Sequence, residues 1–189
     1  LEDVRRAYEA IMPINDQLAI LQCTASYPCR PEDMNLRVVG TYMKEFPDAL
    51  IGLSDHQNGI AMAMVAYTLG ARLFEKHFTL DRTWKGTDHA FSLTPGGLRN
   101  LVRDLSRAHV AMGDGVKRPL EAEEKPIFKM GKKIVAARDL PAGTALTLGD
   151  VLFKCPADGI PPYEVDRVLG KRLLRDLAED MDLSYDILE

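Results

Sequence analysis

Short apolar runs alternate along the first part of the chain with segments whose apolar residues recur at helical spacing. Residues 2–12 place Val4, Ala7, Tyr8 and Ile11 on one face, which predicts a short helix ended by Pro13 and Asn15-Asp16. Leu18 to Thr24 is an apolar run of strand length, suited to burial on both faces, with Cys23 inside. Two prolines make Tyr27 to Pro31 a loop, and Asp33 is placed to cap a helix from Met34 to Phe46. The pattern then recurs. Ala49–Ser54 reads as a strand, Asp55–Gly59 as a loop, and Ile60–Leu69 as a helix stopped by Gly70. In the third round Ala71–Thr79 is a strand, 80–94 a long loop, and 95–112 a helix opened by Pro95. Three successive strand–loop–helix units predict a parallel α/β architecture over residues 1–116.

The texture changes beyond that point. Residues 117–128 are charged and read as a linker. From 129 to 189 the signals are a short strand at Ile134–Ala137, turn chemistry at Asp139–Thr144 and Pro161-Pro162, and a small helix around Glu164–Leu169. This predicts a compact β-rich domain. No short repeat is expected.

Composition narrows the function classes. Of 189 residues 46% are apolar, enough to bury cores, and no apolar run approaches the ~20 residues of a membrane span. With 24 Lys+Arg against 28 Asp+Glu the net charge is -4, so there is no basic field for nucleic acid or an anionic membrane. Cys23, Cys29 and Cys155 are odd in number and in no metal-finger spacing, which points to a reducing, cytoplasmic setting. Leu1 is not an initiator Met, and the chain is expected to begin inside a longer protein.

In parallel α/β folds chemistry sits where strands end and helices begin. Here those loops carry Tyr27; Ser54, Asp55 and His56; and Lys76, His77, Asp88 and His89. His56 and His77 each follow a strand, and one helix plus one strand separates them. Neighbouring strands lie about 4.8 Å apart, so the two imidazoles can share a metal ion and leave its other positions open. Alternatively, each ring hydrogen-bonds to loop backbone. Ser54 and Asp55 can contact an anion near the N–H groups of helix 60–69, or serve as turn and cap residues. Side chains alternate along a strand, so Glu75 shares the face of His77 and Lys76 does not. Lys76 is therefore expected in an ion pair or at the surface.

The runs Leu21–Pro28, Ile51–His56, Phe74–Asp81 and Lys85–His89 resemble sialic acid synthase, and Ile134–Thr144 through Leu169-Gly170-Lys171 resembles its antifreeze-like (SAF) domain. The resemblance covers essentially the whole chain in order. Trp84–His89 is most similar to the animal branch, which acts on the 6-phosphorylated sugar. The resemblance implies the last three units of a (βα)8 TIM barrel followed by a SAF domain that caps the partner's site in a swapped homodimer. It implies condensation of phosphoenolpyruvate with N-acetylmannosamine, or its 6-phosphate, with release of phosphate. It also implies a divalent ion, Mn2+ or Mg2+, on His56 and His77 as catalytic ligands. Ser54 matches a phosphoenolpyruvate contact, and Tyr27 and Asp88 match sugar contacts.

Two positions depart from the bacterial pattern. Ala25 stands where a phosphate-contacting Asn is common, and Lys154-Cys155-Pro156 replaces a Lys-Arg-Pro segment. A complete barrel takes about 250 residues, so the chain is expected to hold only part of the active site. The alternatives are a synthase of a related nonulosonic acid (legionaminic or pseudaminic) and a non-catalytic carbohydrate-binding fragment.

Overall fold

Strands β1 (Ala19–Cys23), β2 (Leu50–Asp55) and β3 (Leu73–Lys76) form a parallel sheet in the order β1-β2-β3. The computed structural model describes all 189 residues, which divide into two units, Leu1–Gly115 and Val116–Glu189. In the first unit the strands alternate with helices α1 (Glu2–Ile11), α2 (Val38–Glu45), α3 (Ala61–Thr68) and α4 (Pro95–Ala111). Register is continuous across the sheet: Cys23 pairs with Ser54, Ser54 with Glu75, and Asp55 with Lys76.

One face of the sheet builds the core. Ile20, Ile51, Leu53 and Phe74 meet Val39, Phe46, Ala66 and Ala71 from the helices and connections, and Val4 and Tyr8 of α1 pack against them. Each large side chain fully buried here contributes about 1.5–3 kcal/mol. A smaller cluster of Ala63, Leu93 and Leu101 joins α3 to α4. The opposite face is open, with Leu50 46% exposed. Cys23 falls on that face, in register with Ser54, and is exposed rather than buried. The expectation of a strand covered on both sides fails for this reason.

The start of the second helix also differs from expectation. Asp33 does not cap a helix at Met34: Pro31–Asp33 is a turn of 3-10 helix, and Arg30 Nε binds the Asp33 carboxylate at 3.0 Å. Asn35 adopts a left-handed φ of 44°, which interrupts helical continuity, so α2 starts only at Val38. The start of α4 follows the sequence signals, with Pro95 in its first turn and the Thr94 hydroxyl accepting from Gly97 N–H.

The second unit begins with α5 (Glu124–Met130), which lies largely within the segment expected to be a linker. Strands β4 (Lys133–Ala136) and β5 (Val151–Lys154) pair antiparallel. The helix expected near 164–169 is a 3-10 helix over Pro162–Arg167.

This unit contains an internal two-fold, contrary to the expectation of no short repeat. Arg138-Asp139-Leu140 and Arg175-Asp176-Leu177 lie side by side, and Leu140 and Leu177 exchange both backbone hydrogen bonds at 2.8 Å. The Asp139 carboxylate accepts from Glu179 N–H at 2.8 Å, and Asp176 accepts from Ala142 N–H at 2.7 Å. Further along, Leu183 N–H binds the Ile134 carbonyl and Leu146 N–H binds the Lys171 carbonyl. Each half closes on a 3-10 turn, at Leu148–Asp150 and at Tyr185–Ile187. Leu140, Leu146, Leu177 and Leu183 meet in the shared core. A cleft of about 490 Å3 opens beside Asp139 and Asp176, whose carboxylates are each occupied by a backbone amide.

Candidate active site at the strand ends

The ends of β2 and β3 bring together the histidines that follow them. The His56 and His77 ring centroids are 5.1 Å apart, with planes at 80°. The Tyr27 ring packs on both, 4.4 Å from His56 and 5.7 Å from His77. Phe91, buried, backs the group 5.0 Å from His77. Tyr27 itself is 53% exposed, so this aromatic wall faces outward.

His56 is fixed from several directions. Its Nδ1 lies 2.9 Å from the Thr24 carbonyl, which can only accept, so Nδ1 carries a proton and, in the neutral ring, Nε2 holds the lone pair. Its own carbonyl accepts from Cys29 N–H at 3.0 Å. Behind it, Gln22, Thr24, Cys29, Met34, Leu53 and Ser54 leave a void of about 10 Å3, too small for the ring to swing into. The backbone hydrogen bond expected for a structural histidine is therefore present. The same bond leaves one ring nitrogen for a ligand, the arrangement by which a carbonyl orients a metal-binding imidazole.

His77 is held by its backbone. Its carbonyl accepts from Leu93 N–H at 2.8 Å, and Thr79 N–H returns to the Leu93 carbonyl at 2.9 Å. The Asp88 carboxylate lies 3.7 Å from His77 Nδ1, beyond a hydrogen bond but within electrostatic reach. Asp88 is anchored through its carbonyl, which accepts from Ser92 Oγ at 2.6 Å. No third His, Cys, Asp or Glu comes close enough to complete a set of three around the two rings. Two imidazoles are one short of the three protein ligands usual at a catalytic metal, so a divalent ion held here would draw its other donors from water or a bound ligand.

The long loop 80–94 is ordered by its own side chains. The Asp81 carboxylate accepts from Thr83 N–H and Oγ1–H, both at 2.8 Å, which holds its pKa below the usual carboxylate range. Thr79 Oγ1 donates to the Asp81 carbonyl and so accepts from His89 Nδ1 at 2.8 Å. His89 packs edge-on against Trp84 at 5.7 Å. His89 thus has a local partner and stands apart from the His56–His77 pair.

Ser54 and Glu75 occupy the open face of the sheet, where Ser54 Oγ donates to Glu75 Oε1 at 2.7 Å. Strand alternation places Glu75 on the face of His77, and its bond to Ser54 makes it a site residue beyond those expected. Phe91 gave no sequence signal at all. Asp55 and Lys76 point to the other face and form a buried ion pair at 2.9 Å, which meets the ion-pair expectation for Lys76. Asp55 also accepts from Gln57 N–H at 2.8 Å, a turn role rather than an anion contact. In the second unit Lys154 pairs with Asp180, and the Cys155 thiol lies 3.4 Å from the Met130 carbonyl.

Comparison with known proteins places this arrangement in a family. The chain is 42% identical over 181 residues to N-acetylneuraminate-9-phosphate synthase of Mus musculus, covering 95% of this chain and 50% of that protein. It is 33% identical over 194 residues to N,N'-diacetyllegionaminic acid synthase of Legionella pneumophila, covering 100% of this chain and 54% of that protein. The chain thus spans about half the length of these curated relatives. Among solved structures, spore coat polysaccharide biosynthesis protein spsE from Bacillus subtilis superposes with a TM-score of 0.57 at 29% identity, covering 100% of this chain and 58% of that one. Residues 133–186 match the SAF domain, and residues 1–117 match the NeuB family, to which the chain belongs.

Proposed function

We propose that the chain forms part of a synthase that joins phosphoenolpyruvate to N-acetylmannosamine, or to its 6-phosphate. The methylene carbon of phosphoenolpyruvate bonds to the sugar aldehyde carbon, water adds at the enol carbon, and inorganic phosphate leaves. The observation that carries this reading is the pair His56 and His77, 5.1 Å apart at adjacent strand ends with Tyr27 across both. The NeuB match and the similarity to N-acetylneuraminate-9-phosphate synthase support it.

His56 through Nε2, together with His77, would hold a divalent ion, manganese or magnesium. When bound, such an ion supplies Lewis-acid polarisation of the aldehyde oxygen. The Tyr27 ring offers the sugar a flat surface that excludes water from one side. Asp88 is placed to accept from a sugar hydroxyl. The Ser54 hydroxyl, oriented by Glu75, faces the open side of the sheet, where phosphoenolpyruvate would lie.

In this reading β1–β3 are the last three strands of a (βα)8 barrel, and the SAF domain covers the partner's site in a swapped homodimer. The same reading sets the reaction in the cytoplasm, in keeping with three free cysteines. A second reading is synthesis of a related nonulosonic acid, favoured by the similarity to the Legionella legionaminic acid synthase. Sugar competition separates the two. Phosphoenolpyruvate is supplied with N-acetylmannosamine, its 6-phosphate and a diacetamido hexose, and the product is identified by mass. The expected product is N-acetylneuraminate or its 9-phosphate. Exclusive use of the diacetamido sugar would transfer the assignment to the second reading.

A further inference from the structure

The last residues of β2 and β3, Asp55 and Lys76, are register partners, and each immediately precedes one of the two histidines. Their side chains meet at 2.9 Å on the helix-covered face and are only 2% and 6% exposed. The Lys154–Asp180 pair, by contrast, is about half exposed at both ends. A buried ion pair does little for net stability, because desolvation offsets the attraction. Its other hydrogen bonds both go to the backbone of Gln57, the residue after His56. The Asp55 carboxylate accepts from Gln57 N–H at 2.8 Å, and Lys76 Nζ donates to the Gln57 carbonyl. Asp55 thus binds the residue after His56, and Lys76 ties that same residue to β3, which ends just before His77. The backbone of His56 is bracketed on both sides and bolted to the neighbouring strand.

We propose that Asp55 and Lys76 form a positioning pair that sets the His56 and His77 rings relative to each other, and with them the affinity for a divalent cation. The affinity clause rests on the metal reading above, whereas the ring placement does not. Outer-shell partners of metal ligands typically change affinity by about 10–100-fold when removed. The same range is expected here, although neither side chain touches the rings.

The test uses the full 189-residue chain labelled with 15N and 13C. In the wild type, ring protons of His56 and His77 should show a mutual nuclear Overhauser effect, and His56 should hold a single Nδ1–H tautomer. In Asp55→Asn/Lys76→Met, which leaves no charge unpaired, the backbone spectrum should stay dispersed. The ring contact should be lost, and Mn2+ should bind about 10–100-fold more weakly by titration. Asp55→Leu/Lys76→Leu, an apolar replacement of both partners with similar volume, carries the same test if the first double variant does not fold. Unchanged ring contacts and Mn2+ affinity within about twofold of wild type would overturn the proposal. Absence of Mn2+ binding in the wild type would remove the metal reading alone, since the ring contact still decides the positioning role.

Discussion

Replacing Asp150 by Ala removes a carboxylate that closes one half of the C-terminal two-fold. Asp150 is buried and accepts from Thr147 Oγ1 at 2.6 Å, Thr147 N–H at 3.0 Å and Arg138 at 2.6 Å. Hydrogen bonds to a charged group are worth about 1.5–3 kcal/mol, although Thr147 N–H can regain part of this from water. The Arg138 side chain is 66% exposed, so its share is about 0.5 kcal/mol after screening. The expected loss is about 2–3 kcal/mol, or about 10–20 °C in midpoint for a unit of this size. Trp84, the one tryptophan, belongs to the first unit. The readout is therefore hydrogen exchange at Ala137, Leu146 and Leu183, whose amides are bonded within the second unit. The donors of Thr147, then Arg138, hold the Asp150 carboxyl below its usual range. A depressed folded-state value stabilises above the unfolded pKa, near 3.9, and is lost as pH falls through the folded one. The gap between wild type and Asp150→Ala should thus be constant from about pH 5 to 7 and narrow below about pH 4. Equal exchange rates at pH 7, or a gap undiminished at pH 3, would refute the argument.

Other substitutions test other links. Lys76→Met alone strands the buried Asp55 charge and should cost about 3–5 kcal/mol in urea unfolding followed by Trp84 fluorescence. Gly52→Ala places a methyl against the Leu73 carbonyl, so it should cost about 1–3 kcal/mol and loosen β2 from β3, read by exchange at the Arg72 amide, which bonds to the Ile51 carbonyl of β2. Leu140→Ala and Leu177→Ala occupy equivalent places in the two halves and should each cost about 2–5 kcal/mol, with similar values by calorimetry.

The three parallel strands were legible because each is a short apolar run followed by a loop rich in reactive side chains. The juxtaposition of His56 and His77 followed from one helix and one strand lying between them. The direction of Lys76 followed from strand alternation alone. What escaped was non-local. Cys23 was assigned to the interior because an apolar strand does not reveal which face its own chain will cover. Asp33 looked like a cap, but Asn35 takes a left-handed turn that single-residue preference does not signal. The two-fold was hidden because only Arg-Asp-Leu and one further leucine, Leu146 in one half and Leu183 in the other, are preserved between its halves. Gly143 in one half answers to Asp180 in the other, both with positive φ, 83° and 66°. Asp tolerates that conformation well enough to replace Gly, so the turn outlives the sequence identity. Glu75 and Phe91 join the site through pairing and loop closure, which spacing along the chain does not encode.

In the proposed reaction the two strand-end histidines serve a phosphoenolpyruvate-dependent condensation. Its most direct test is phosphate release from phosphoenolpyruvate by the protein carrying this chain, with Mn2+ and either N-acetylmannosamine or its 6-phosphate. Release should require the sugar and should disappear in both His56→Ala and His77→Ala. No release with either sugar or a related hexosamine, or full activity retained in both variants, would contradict the claim.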